Sequence, residues 1–512
     1  MGDVDYSPRE RFLPGPKHGC LHPARAPFRF VLLIFTCLMT FGSYYCYDMP
    51  SVLQKQFTES PHPNATGNCS KIDGNPPPDG TVINGTDCIK GLGLTQIEFN
   101  LLYSIYAWTN AVIVLLAGIL IDKLGNGVGA LLFSSMCLIG VSTFASGLYL
   151  QGTKAMFPIM LLGRILFGSG NGSLTIVQNR ICAIWFTGKE LAFAFGVSLA
   201  FSRLGSVMNF FLTEEFEEKY GLQITLWGGS ILCGFGVLCA ITATTLDYTG
   251  IKLLNRKAEM EAQSKRMRVT DIKFFGSSYW LLAMTLMFFY NGVFPFVSDA
   301  SDFIETNYAE TFKFGPKTSA YIAGAVYDVS MVLGPFMGAI VDQFGKRGYL
   351  SLICALSCIP VFGLLSFAPS VHPIISTLWL GLNYSIAAAS LWPSVPLIVN
   401  QGCVGTAMGL MTTIQMIGIG ICNLIVGKIL DMKSEHKWKY MMIFMLGNTL
   451  ACVVFAVLLN INDFRKGGVL NKSAKTKRLE AAIAASQDSP PIERKEEYTS
   501  RDAMLYDPAS IN

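Results

Sequence analysis

GILIDKLGN, residues 118–126, and GAIVDQFGKR, residues 338–347, end two apolar runs with the same punctuation: a glycine, an aspartate four residues on, and a second glycine three after that. Two occurrences in one chain predict a parallel repeat of two six-helix halves. Composition agrees, because 51% of the 512 residues are hydrophobic and only 14% charged, beyond the range of a soluble globular domain. Apolar runs of roughly 20 residues, long enough to cross a bilayer, are predicted at 28–47, 98–121, 128–150, 156–183, 190–213 and 224–246. Six more follow at 278–298, 318–341, 348–368, 372–400, 404–430 and 438–460. The predicted fold is an all-α polytopic membrane protein with twelve transmembrane helices in two six-helix bundles, 28–246 and 278–460, joined by a linker at 247–277. LLGRILFGSG and LWLGLNYSIA place Gly163 and Gly381 at nearly the same offset in the fourth and tenth spans, as a repeat requires.

Charge distribution orients these spans. Lysine and arginine crowd into the segment 1–27 (Arg9, Arg11, Lys17, Arg25), the linker (Lys252 to Lys273) and the stretch after the last span (Arg465 to Arg478). An even number of spans puts all three on one side, and the excess of basic residues on cytosolic loops makes that side the cytosol. The opposite side is marked by a polar loop at 48–97, which carries glycosylation sequons at Asn64, Asn68 and Asn84. Cys69 and Cys88 are the only cysteines of that loop, and an oxidising compartment lets them pair. Sequons at Asn171, Asn383 and Asn471 fall in spans or the tail and read as chance matches. The tail from 461 is charged, poor in aromatics and expected to be disordered. No cleavable leader is expected.

The Gly-x-x-x-Asp-x-x-Gly pattern in both halves, with the arginine of GRILFGSGNG (Arg164), resembles the major facilitator superfamily. The resemblance implies two bundles rocking about a central site to give alternating access, with Asp122, Gly125, Asp342 and Lys346 as latches between helices on the cytosolic side and Arg164 coupling helices or protons. FGSYYCYDMPSVL (41–53), LLYSIYAWTN (101–110), WFTGKEL (185–191), SRLGS (202–206), VFPFV (293–297) and LNYSIAAASLWP (382–393) are similar, more narrowly, to the lysosomal dipeptide transporter subfamily. That likeness implies a uniporter moving dipeptides out of lysosomes, with a glycosylated lysosomal membrane protein as accessory subunit. It also implies an arginine in the substrate site, matched by Arg203, and a fourth-span glutamate for the peptide's amino group, where this chain has Gly172.

Polar groups inside the spans are the candidates for ligand contact, since intramembrane charges are costly and line pathways or pair. Arg203 lies midway along the fifth span with Ser198, Ser202, Ser206 and Asn209 near it at helical spacing. Its guanidinium can hold a carboxylate through two parallel hydrogen bonds. Asp328 of GAVYDVSMV lies mid-span in the second half and is the candidate ammonium partner or proton carrier. Gln178, Asn179, Asn291, Tyr384 and Gln415 offer uncharged donors and acceptors for a peptide bond, with Asn383 beside them. Tyr44, Tyr47, Tyr103, Tyr106, Trp108, Tyr290 and Trp392 offer amphipathic walls.

No nucleotide-binding loop accompanies the glycines of GSGNGS, and no histidine lies near cysteines at zinc spacing, so neither cofactor nor metal is expected. Nucleic acid is not an implied partner, because the net charge is only +4. The sequence predicts a carrier of dipeptides or similar zwitterions in the lysosomal or plasma membrane. Proton-coupled carriage of a monocarboxylate or another small organic anion, and a non-transporting scaffold for a glycoprotein, are the alternatives. No nucleophile, base and orienting group assemble into an enzyme.

Overall fold

In the computed structural model, residues 23, 26–59, 91–186, 191–254, 275–399 and 404–472 are described. Asn64, Asn68, Asn84, Cys69 and Cys88 lie outside the described residues, as do the basic loop 255–274 and the tail from 473. Among the described residues, twelve helices of 19 to 36 residues follow one another. The first half holds α1 (Ala26–Val52), α2 (Gln96–Leu124), α3 (Asn126–Ser146), α4 (Met156–Phe186), α5 (Leu191–Tyr220) and α6 (Leu222–Leu253). The second holds α7 (Ser277–Phe312), α8 (Pro316–Phe344), α9 (Arg347–Phe367), α10 (Pro373–Leu391), α11 (Val404–Leu430) and α12 (Lys437–Arg465). Eight are long and apolar enough to cross a membrane by length and composition. The other four, α2, α4, α5 and α8, carry many of the buried polar groups, among them Asn100, Asn110, Arg164, Gln178 and Asn209.

Local chemistry places the helix ends. Thr95 caps α2: its hydroxyl accepts from Glu98 N at 3.1 Å while its own N–H donates to the Glu98 carboxylate at 2.9 Å. Pro316 and Pro373 stand in the first turns of α8 and α10, where no backbone N–H is needed. The repeated motif explains itself, because its second glycine ends α2 at φ 85° and α8 at φ 68°, conformations that a side chain disfavours. Lys346, the next residue in the second half, is itself left-handed at φ 50°.

The helices overrun the predicted apolar windows. The polar loop expected from residue 48 is still helical there: α1 continues to Val52 and a short helix, Gln54–Thr58, follows. Pro50 lies in the last turn of α1, where its missing N–H costs a single intrahelical bond and the helix survives it. α7 reaches Phe312, well past the expected end at 298.

Large apolar side chains cover the outside as well as the core. Ile224, Ile231, Phe235, Leu238 and Ile241 of α6 and Val454, Leu458 and Ile461 of α12 face outward, as a lipid solvent allows. Inside the first half, small residues let backbones touch: a Cβ on Gly163 of α4 would stand 2.5 Å from Phe144 N and 2.8 Å from Gly140 O of α3. Gly381 instead closes on Val326 of α8. The glycine that meets α2 as Gly381 meets α8 is Gly168, which closes on the Tyr106 carbonyl. The halves join along three helix pairs, α2 with α11, α5 with α8 and α1 with α7.

Described hydrogen bonds across the seam run from the middle of the helices to the end that carries the α1–α2 loop. Ser104 Oγ donates to Gly420 O at 2.8 Å and Thr413 Oγ1 to Ala111 O at 3.1 Å, and Ser51 Oγ reaches Val297 O. At the rim, Lys55 pairs with Glu305 at 2.7 Å and Lys317 with Glu215 at 2.8 Å. Gly427 presses on Asn100, and Gly324 on Phe210. The structure is therefore shut at the loop end.

Candidate functional site

α5 turns Arg203 away from its own half and onto the aromatic faces of the other. Its guanidinium carbon stands 4.5 Å from the centroid of Tyr384 and 5.7 Å from that of Tyr327, close enough for a cation–π attraction. Arg203 remains half-buried, while Tyr327, Tyr384, Asp48 and Ser206 around it are buried. Among the described residues no carboxylate lies within ion-pair distance of it. Its charge is held by π faces, with the Tyr384 hydroxyl within hydrogen-bonding reach of the guanidinium.

The expected polar strip divides. Ser198 contacts Cys37 of α1 and Cys182 of α4 through their thiols, Ser202 Oγ donates to the Ser198 carbonyl, and Asn209 Oδ1 accepts from Thr213. These residues serve the interior of the first half, on a different face of α5 from Arg203. Ser206 instead lies beside Asp48 of α1.

Asp48 was not singled out from the sequence, and it stands at the centre of the site. It is 2% exposed; Tyr327 Oη donates to its Oδ1 at 3.3 Å, and its Oδ2 has no partner. Arg203 and Arg164 are both within electrostatic reach of it. Only its place just beyond an apolar window hid it, since an acid followed by Met-Pro reads as the start of a loop.

Aromatic side chains from both halves wall the junction. Tyr47 packs on Tyr106 at 4.7 Å and Tyr103 at 5.9 Å within its own half, and reaches Phe294 of α7 at 6.4 Å. Phe294 stacks on Tyr290 at 5.6 Å, and Tyr290 meets Tyr384 edge-on at 5.7 Å. Trp392 Nε1 donates to Tyr290 Oη at 2.9 Å. Of the predicted residues, Tyr384 thus meets Arg203 directly, Trp392 stands behind Tyr290, and Tyr47 and Tyr106 join the wall through Phe294. Tyr327 and Phe294 complete the wall unannounced, as aromatic residues in apolar runs usually only pack.

Other predicted residues stand elsewhere or nearby in quieter roles. Asn171 Nδ2 donates to Tyr106 Oη at 2.8 Å and its Oδ1 accepts from Ser43 at 2.9 Å, so the sequon at Asn171 lies in the protein interior. Asn383 is likewise buried, donating to Cys358. Gln178 is buried with its Nε2 unpartnered, and Asn179 is exposed. Asn291 faces Gly418 of α11, and Gln415 is buried on the same helix. Asp328 is half-buried on α8 and has no hydrogen bond or ion pair among the described residues; the structure does not bring it to Arg203. At Gly172, a Cβ would collide with Asn110 Oδ1, so a buried amide fills the space beside this glycine.

Of the proposed latches, Asp122 and Asp342 sit in the last turns of α2 and α8, their side chains outside the described set. Gly125 and Lys346 form the turns that follow. Arg164 is 2% exposed, enclosed by Phe144 at 5.1 Å, Tyr103 at 5.2 Å and Phe167 at 5.9 Å, with Nε and Nη2 unpartnered beside a small cavity lined by Cys46, Met49 and Leu226. It is an interior cation of the first half.

A permanent cation, a partly unpartnered acid and a ring of tyrosines at the meeting of two six-helix bundles can bind a small molecule carrying a carboxylate. Comparison with known proteins agrees with this architecture. The family model of the Major Facilitator Superfamily matches residues 31–423. The lysosomal dipeptide transporter MFSD1 of Homo sapiens is 31% identical over 473 residues, covering 90% of this chain and 92% of the relative. The protein of the same name in Danio rerio is 30% identical over 464 residues, covering 88% and 91%. Among solved structures, a peptide transporter POT in complex with sulfate shares the fold at a TM-score of 0.60 and 12% identity, covering 86% of this chain and 95% of that one. The chain belongs to the Major Facilitator Superfamily of membrane transporters and, within it, to the family of the lysosomal dipeptide transporter MFSD1.

Proposed function

We propose that this transporter is a facilitative carrier that moves dipeptides from the lysosomal lumen to the cytosol by alternating access. The observation that carries the reading is Arg203, a charge set at the seam of the halves on tyrosine faces, with no carboxylate at ion-pair distance among the described residues. A peptide's C-terminal carboxylate takes the guanidinium through two charge-assisted bonds. Asp48, with an unpartnered oxygen in the same junction, takes the amino group in place of the acid lost at position 172. Asp328 is the alternative ammonium partner or proton carrier. The tyrosines and Trp392 accommodate side chains of mixed character. Both termini face the cytosol, which puts the loop bearing Asn64, Asn68 and Asn84 in the lumen, with Cys69 and Cys88 paired there. That loop is the surface for a glycosylated accessory subunit. Asp122, Gly125, Asp342 and Lys346 latch the cytosolic side.

A second reading, a proton-coupled carrier of monocarboxylates, is favoured by the neutral Asn110 amide over Gly172, which suits a substrate lacking an ammonium group. Uptake of labelled dipeptides, free amino acids and lactate into liposomes holding the purified protein, at two pH values, separates them. Dipeptide uptake is expected, reduced about 10–100-fold in Arg203→Ala by loss of the charged hydrogen bonds and reduced in Asp48→Asn. Lactate uptake untouched by Asp48→Asn would replace the first reading with the second, and transport of none of these would leave only the scaffold.

A further inference from the structure

The seam at the luminal end contains a carboxylate whose hydrogen-bond count does not balance. Asp299 of α7 is fully buried. Its Oδ1 accepts from Gln54 Nε2 at 2.5 Å and from Asn100 Nδ2 at 3.2 Å, both donated by the other half. Gln54 Nε2 also donates to Gln96 Oε1, and Asn100 Nδ2 to the Gln96 carbonyl, each at 3.2 Å. Both amide nitrogens are thereby fully used, since each has two hydrogens. Three buried oxygens, Asp299 Oδ2, Gln54 Oε1 and Asn100 Oδ1, are left with no donor. Turning either amide over exchanges one N–H for one oxygen, so the shortage of donors survives any choice of orientation.

The surrounding charges do not supply what is missing. From its own helix Asp299 faces Asp302, a like charge; Glu305, one turn further, is bonded to Lys55 of the short helix. Lys437 of α12 lies within reach of Asp302. From α2 come Tyr103, near enough to sense Asp299, and Glu98, held in its capping box. α11 closes the remaining side with Gly427 against Asn100. A buried carboxylate with a like charge beside it and no cation in contact is the costly form. A proton on Asp299 removes the charge and turns one acceptor into a donor for an orphaned amide oxygen.

We propose that Asp299 is a proton-binding site that latches the luminal gate: the lumen-closed arrangement holds the proton and opening to the lumen releases it. The state that binds more protons gains as pH falls, so an acidic lumen favours closure behind the substrate; the proton returns to the lumen on reopening, so the latch biases which face is open while the dipeptide gradient alone sets the direction of net flux. This rests on the alternating-access reading, but it concerns the gate and not the substrate.

Hydrogen exchange on the full-length protein in lipid nanodiscs, in choline salts from pH 5 to 8 and corrected for intrinsic rates, reads closure from peptides spanning 96–104 and 297–305. Wild-type protection is expected to fall as pH rises, with a one-proton midpoint. Asp299→Asn, which carries a permanent donor, stays protected throughout. Gln54→Glu sets a second carboxylate beside the first, so the pair binds its proton more tightly and the midpoint rises by about one pH unit or more. An Asp299→Asn variant that keeps the wild-type midpoint, a Gln54→Glu variant that leaves it in place, or recovery of protection at pH 8 on adding sodium would each overturn the proton latch. Should Asp299→Asn fail to fold, Gln54→Glu decides alone. Because no substrate is present, failure here leaves the carrier reading standing, whereas an intact midpoint without dipeptide uptake would remove that reading and keep the latch.

Discussion

Gly172 and Asn110 show how closely two neighbouring helices can fit one side chain to the absence of another. The amide oxygen of Asn110 is buried, unpartnered and pressed against the bare Cα of Gly172. Any side chain at 172 must push it aside. Gly172→Ala is therefore expected to reduce uptake several-fold, and Asn110→Ala in the same chain to recover most of it; a double-mutant cycle on transport rates measures the coupling. Additive losses would mean that the two positions act separately. Arg203 could be read from the sequence because a permanent charge has no cheap place inside an apolar run. Asp48 and Asp299 could not. Each lies one residue beyond an apolar window, at 47 and 298, because such windows are cut where a charge appears. Both helices in fact continue, and the opposing half covers the acids, a tertiary effect that no local pattern carries.

Helices α3 and α4 lock through backbone, with Gly140 and Gly163 set against each other so closely that a Cβ on either would meet main-chain atoms. Main chain cannot swing aside as a side-chain tip can. Gly163→Ala is expected to destabilise the protein by about 1–3 kcal/mol, seen as a lower melting temperature in detergent, while Gly447→Ala, on α12 with open space around it, leaves that temperature nearly unchanged. Helix number and order were legible as twelve long runs, since a bilayer demands apolar stretches of fixed length, although four of those helices carry enough polar residues that only eight qualify by length and composition. The pairing of repeats was only half visible. Gly163 and Gly381 share an offset in sequence but not a partner in space, and Gly168 supplies the true counterpart, because backbone proximity depends on which neighbour a helix face meets.

The whole assembly carries a pH term at the rim on the side of the α1–α2 loop. Glu214, at the end of α5 beyond the predicted span, is mostly buried, and burial together with Glu217 and Glu305 pushes its carboxyl from 4.5 up to about 7. The folded protein keeps this proton where the unfolded chain has lost it. The contribution is full below about pH 4.5 and is lost as pH rises through 7, at up to about 1.4 kcal/mol per pH unit in between. Melting temperature is expected to fall as pH rises across that window, and Glu214→Gln to flatten the part due to this group. The exposed pair Lys317–Glu215 adds little by comparison, as surface ion pairs do. One stretch of chain joins the rim to the centre. From Asp48 to Lys55 the chain is helical apart from a break at Leu53, and carries the acid near Arg203 at one end and the Gln54 and Lys55 bonds to the other half at its far end. On the proposed reading, a ligand drawn onto Asp48 pulls on the same short segment that bonds the other half through Gln54 and Lys55, so occupancy and closure share one piece of backbone.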